Sequence, residues 1–107
     1  MLTSSVLSSS LFALLGPNTW PIIRDMVDQV ICVSEEEILR ATLMAWQRLK
    51  VCIEPSAGVG LGVALYSETF RTEFPPEKYP NVGIILCGGN VDVLETAAKM
   101  KARGIHL

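Results

Sequence analysis

Histidine is nearly missing from this chain: His106, one residue from the end, is the only one. A fraying terminus is a poor place for a catalytic base or a metal ligand, so His106 reads as an exposed tail residue. Cysteine is sparse as well. Cys32, Cys52 and Cys87 are widely separated and odd in number. That spacing excludes a zinc or disulfide framework and suits a reducing, cytoplasmic compartment. Basic charge is in deficit, with 9 Lys and Arg against 11 Asp and Glu and a net charge of −2. Nothing here neutralises a nucleic-acid backbone. Long apolar runs are also absent, so nothing in the sequence has the length to span a bilayer as a helix. Neither a nucleic acid nor a membrane is an expected partner.

What is present is core-forming. Half of the 107 residues are hydrophobic and 19% are charged, the composition of one globular domain or a piece of one. Residues 1–14 stand apart: they hold five serines, interleaved with Leu, Val and Phe, and no charge. A secretory signal carries a basic start and an unbroken apolar stretch, which Ser8-Ser9-Ser10 interrupts. This segment is read as a non-structural leader.

Structure is expected from Asn18 onward. Asn18 or Thr19 caps a helix whose first turn holds Pro21, with Ile22, Ile23, Met26 and Val27 at helical spacing. Gln29 to Val33, short and β-branched, reads as a strand. Ser34 followed by Glu37 is a capping box, and Glu35, Glu36 and Glu37 suit a helix N-terminus. Ile38, Ala41, Ala45, Leu49 and Cys52 keep the helical period, so one helix is expected over about 35–51. Pro55 opens a second helix, over about 55–69, apolar all round and therefore buried. Pro75, Pro76 and Pro80 make a loop. Val82 to Leu86 is a continuous apolar run, hence a buried strand, and it ends in the turn Cys87-Gly88-Gly89-Asn90. Leu94 to Ala102 reads as a last, exposed helix. The order predicts an α/β fold with two parallel strands. Two strands do not make a stable sheet, so the chain reads as part of a larger α/β domain.

Four motifs bear on chemistry. Gly58-Val59-Gly60-Leu61-Gly62 lies inside a helical run rather than between a strand and a helix, so it is read as close packing against a sheet, not as a dinucleotide cradle. Cys87-Gly88-Gly89-Asn90 stands at the carboxyl end of a buried strand. There it is either a simple turn or a place where backbone approaches a ligand. Glu54, between Ile53 and Pro55, is either a dipole-favoured helix start or a site carboxylate. Arg48 and Lys50 are either solvated helix ends or holders of an anion.

Read together, these segments resemble the family of pyridoxal-phosphate-dependent serine racemases and serine/threonine dehydratases. The resemblance rests on Asn18 to Asp25, Arg48-Leu49-Lys50, Ile53-Glu54-Pro55-Ser56-Ala57-Gly58-Val59-Gly60 and Cys87-Gly88-Gly89-Asn90-Val91-Asp92, in this order. It runs from about Leu15 to Asp92, roughly a quarter to a third of a family subunit. It implies the C-terminal part of a fold-type-II large domain over residues 15–93, with a divergent tail over 94–107. It further implies a homodimeric enzyme that interconverts L- and D-serine and eliminates water to give pyruvate and ammonia. By the same resemblance, Cys87, Gly88 and Glu54 stand near the cofactor, Cys87 facing its pyridine nitrogen. Arg48, Lys50 and Asn90 match residues that help bind ATP at the dimer interface. The lysine that grips the cofactor's aldehyde, the glycine-rich phosphate loop and the acidic ligands of Mg or Mn are not among the motifs found. A truncated member, inactive alone, is the expectation. The alternative is a non-catalytic fragment that docks on a full-length subunit through the apolar helix at 55–69.

Overall fold

The computed structural model describes residues 16–106. Five α-helices follow one another: α1 (Trp20–Met26), α2 (Glu35–Met44), α3 (Val59–Tyr66), α4 (Glu68–Glu73) and α5 (Val93–Ala102). A π-helical turn, Ala45–Leu49, extends α2, and a 3-10 turn, Pro55–Gly58, leads into α3. No β-strand is formed among the described residues.

The absence of strands corrects the α/β expectation. Gln29 to Val33 and Val82 to Leu86 make no backbone hydrogen bond to another segment among the described residues. A strand exists only through its ladder, and neither segment has a neighbour to pair with. Their burial still alternates as a strand's does. Ile31 and Val33 are buried while Val30 and Cys32 are exposed; Ile84 and Leu86 are half-buried while Val82 and Ile85 are exposed.

The Ser34 capping box forms in full. Ser34 Oγ accepts from the Glu37 backbone N–H at 3.3 Å, and the Ser34 N–H donates to Glu37 Oε2 at 2.7 Å. Three glutamates occupy the first turn, where the N-terminal end of the dipole favours them. The expected helix over 35–51 nevertheless stops short. Its last turn widens into the π-helix, and Lys50 ends it in the left-handed region with φ 59°. The helix expected over 55–69 is also divided. Ser67 turns extended and accepts from the Phe70 N–H at 3.1 Å, which starts α4 as a separate helix.

α2 and α3 form the centre. Gly58 and Gly62 allow their close approach: a Cβ on Gly58 would collide with Thr42 Oγ1 and lie 3.3 Å from the Ile38 carbonyl, and one on Gly62 would lie 3.5 Å from the Glu37 carbonyl. The glycine run is thus packing, as expected, but its principal partner is a helix rather than a sheet. Ile38 and Val63 are fully buried between Ile31, Val33 and Val59, with Phe70 and Phe74 closing the cluster. Burying a side chain of that size contributes about 1.5–3 kcal/mol.

α5 is not the exposed helix expected. Met100 and Ile105 pack on Leu39 and Leu43, and Arg103 pairs with Glu35 at 2.7 Å. Lys99 is held above the usual lysine range by its side-chain hydrogen bond to Glu95. α1, by contrast, buries no residue, and its Ile22 and Met26 are exposed. No helix among the described residues is long and apolar enough to cross a membrane. The leader over residues 1–14 lies outside the described residues.

Candidate functional site

One backbone hydrogen bond assembles the site. The Glu54 N–H donates to the Gly88 carbonyl at 2.8 Å, joining the start of the 3-10 turn to the turn after Leu86. Gly88 has φ +83° and sits directly against the Glu54 side chain; a Cβ there would lie 2.7 Å from the Glu54 carboxyl carbon. Gly89 stands over the Cys52 carbonyl, where an added Cβ would lie 3.8 Å away. Cys87, Gly88 and Glu54, three residues singled out in the sequence, are therefore brought together in space.

Trp46 fixes this arrangement from behind. Its indole N–H donates to the Ile53 carbonyl at 2.9 Å, one residue before Glu54. Ile53, Ala45 and Ala57 are buried together, with Leu61 and Leu86 against them. Nothing in the sequence marked Trp46 as more than a residue of a helix. The π-helical turn that aims it arises from packing, not from a local motif.

A cavity of about 630 Å³ opens beside the site, and Cys87 forms part of its wall with Ile31, Val59, Phe70, Val82 and Ile84. The cavity is apolar, and none of its lining residues is a lysine or an arginine. Lys99 is paired with Glu95 at 2.7 Å, and Lys78 lies 5.3 Å over the Tyr79 ring. The lining residues supply no amine to hold an aldehyde and no cation to hold a phosphate.

Arg48, Lys50 and Asn90 are all exposed. No side-chain hydrogen bond or ion pair among the described residues joins any of them to the others. Arg48 and Lys50 sit together at the end of the π-helical turn, and Asn90 follows the Gly88-Gly89 turn. The three thiols are free and exposed, and His106 is exposed. No cluster of three potential metal ligands occurs among the described residues.

No family model matches the sequence. Individual relatives do. The chain is 54% identical to serine racemase of Bos taurus over 79 residues, 74% of this chain and 23% of that protein. It is 48% identical to serine racemase of Homo sapiens over 87 residues, 81% of this chain and 25% of that one. For serine racemase of Arabidopsis thaliana the identity is 42% over 90 residues, 84% of this chain and 27% of that one. Among solved structures, maize serine racemase superposes with a TM-score of 0.69 at 40% identity, over 82% of this chain and 27% of that one. A pyridoxal 5'-phosphate-dependent aspartate racemase superposes with a TM-score of 0.65 at 42% identity, over 74% of this chain and 24% of that one. The chain spans about a quarter of the length of the relatives it matches.

Proposed function

We propose, from the premise that this chain is a homologue of the C-terminal part of the serine racemases, that it is a partial serine racemase or dehydratase subunit, without turnover on its own. It forms the end of a fold-type-II large domain and carries the wall that faces the cofactor's ring nitrogen. Bound pyridoxal phosphate supplies the electron sink that loosens a substrate's Cα–H bond. The observation that carries the reading is the Glu54 to Gly88 hydrogen bond of 2.8 Å, which holds Cys87, Gly88 and Glu54 in one place.

Each residue has a stated part. Cys87 would face the pyridine nitrogen of the cofactor with its thiol. Gly88, with no side chain, leaves room for the Glu54 side chain beside the turn. Arg48, Lys50 and Asn90 are exposed and free to meet an anionic nucleotide at a homodimer interface. Residues that bind Mg or Mn in the complete enzyme lie outside this chain. Serine is the proposed substrate. The aspartate racemase is 42% identical to this chain and the serine racemase from Dictyostelium discoideum 43%. The side-chain choice therefore rests on residues that this quarter of the fold does not supply.

The test uses the purified chain with pyridoxal phosphate and serine. The expected outcome is no protein-bound visible absorption band, no D-serine and no pyruvate. A bound-cofactor band together with serine turnover by the chain alone overturns the reading.

A further inference from the structure

A closed circuit of contacts runs through Trp46. Leu39, Leu43 and Trp46 recur at helical spacing and so share one side of α2 and its π-helical extension. Leu39 and Leu43 are buried with Met100 and Ile105, and Trp46 packs against the cluster they form. Met100 lies in α5 and Ile105 just beyond it, so this cluster seats α5 on α2. Trp46 also packs against a second cluster, Ala45, Ile53 and Ala57, which Leu86 joins from the residue before Cys87. Its indole N–H donates to the Ile53 carbonyl at 2.9 Å. The next residue, Glu54, donates its N–H to the Gly88 carbonyl at 2.8 Å. Residues 89–92 then lead into α5, which Asp92 caps by accepting from the Glu95 N–H at 2.9 Å. The circuit ends where it began, at Met100.

We propose that Trp46 is a positioning residue that couples the seating of α5 to the placement of Cys87, Gly88 and Glu54. Coupling of this kind is carried by packed side chains and hydrogen bonds that connect without a gap. With α5 seated, the indole is held in place and keeps the Ile53 carbonyl, and with it the Glu54 N–H, in register with Gly88. With α5 lifted, the indole loses its packing, the Ile53 carbonyl loses its donor, and the Glu54 to Gly88 bond opens more often. The seating itself comes from Met100, which is 1% exposed. The Arg103 to Glu35 pair lies at the surface, where an ion pair contributes little. The proposal rests on the reading of the Cys87-Gly88 turn as the wall that faces the cofactor, and adds the helix that sets it.

The experiment measures amide hydrogen exchange in the full chain at Glu54, with the Ser67 amide as reference. The Ser67 N–H donates to the Val63 carbonyl at 3.0 Å, in the cluster around Ile38, whose members do not include Trp46. Trp46→Phe keeps an aromatic ring but has no donor, and Met100→Ala unseats α5. Each should speed exchange at Glu54 relative to Ser67 by roughly tenfold. Met100→Leu conserves volume and should leave the ratio as it is. The double variant should exceed either single one by less than about twofold, because both changes cut the same link. Fluorescence gives a second readout. Trp20→Phe lies on α1, which buries no residue, and leaves Trp46 as the sole indole. In that background Met100→Ala should move the emission to longer wavelength, and Met100→Leu should not. Ile105→Ala, in the same cluster, repeats each arm if Met100→Ala does not fold.

Equal acceleration of the Glu54 and Ser67 amides overturns the coupling, since Met100 then serves general stability. Full multiplication of the two effects in the double variant overturns it as well, since α5 then acts on the turn through residues 89–92 and not through Trp46. So does an emission that stays in place when α5 is unseated. The failure of the premise looks different. A Glu54 amide that is unprotected in the wild-type chain removes the hydrogen bond on which the cofactor-wall reading stands, and the coupling goes with it. A protected Glu54 amide that ignores Met100 and Trp46 discards the coupling and leaves that reading intact.

Discussion

Gly88 is the residue on which the site's geometry turns. Its φ of +83° is a conformation that other residues adopt only with strain, and its missing Cβ is the space the Glu54 side chain needs. Gly88→Ala should therefore cost on the order of 1–3 kcal/mol, read as a lowered urea midpoint. Adding Glu54→Ala should return part of that loss, because one of its two causes is the collision with Glu54. Full additivity of the two changes would show that backbone strain alone is responsible. Trp46→Phe keeps the ring but leaves the buried Ile53 carbonyl without its donor. The expected cost is about 1–3 kcal/mol, checked by the far-ultraviolet circular dichroism melt. The close backbone approach at Gly88 was legible because the run Cys87-Gly88-Gly89-Asn90 is restrictive in residue type and follows an apolar segment. Trp46 was not legible. An indole at a helical position carries no sign of which carbonyl it will reach until the chain around it is packed.

At the level of elements, beginnings were easier to read than ends. The Ser34-to-Glu37 box is a local hydrogen-bond pattern written in four consecutive residues, and α2 starts where it says. The end of α2 depends on Ala45, Ile53 and Ala57 packing together, a contact among residues up to twelve apart that periodicity does not register. Ser67 looked like the interior of an apolar helix, yet its hydroxyl caps the next one, a competition that serine often wins near a helix end. Lys50 is the sharpest case. It ends the π-helical turn with φ 59°, where glycine is the ordinary choice. Lys50→Gly should be neutral or stabilising by up to about 1 kcal/mol, measured by denaturation. Under the proposed role of Lys50 at a nucleotide, the same change also weakens nucleotide binding. Destabilisation by Lys50→Gly would mean that the lysine side chain earns its strained backbone by packing rather than by meeting a ligand.

For the whole molecule, the decisive feature is that the core is divided. Among the described residues the buried side chains gather in three clusters, around Ile38, Leu43 and Ile53, the last two bridged by Trp46. Meanwhile Ile22, Met26, Val82, Ile85 and Leu94 are each more than half exposed. A core-forming composition was legible from the count of apolar residues. The sheet itself was not formed: residues 29–33 and 82–86 find no ladder partner among the described residues. Cooperative unfolding draws its enthalpy from packing that is lost all at once. An ordinary domain of about 100 residues absorbs about 60–80 kcal/mol at its midpoint. Calorimetry on the isolated chain should give well under half of that, over a broad transition, and a dye that reports exposed apolar surface should bind at room temperature. A sharp transition with the full enthalpy would mean that the clusters act as one core, and then the open cavity beside Cys87 would be a tolerated feature of a finished domain.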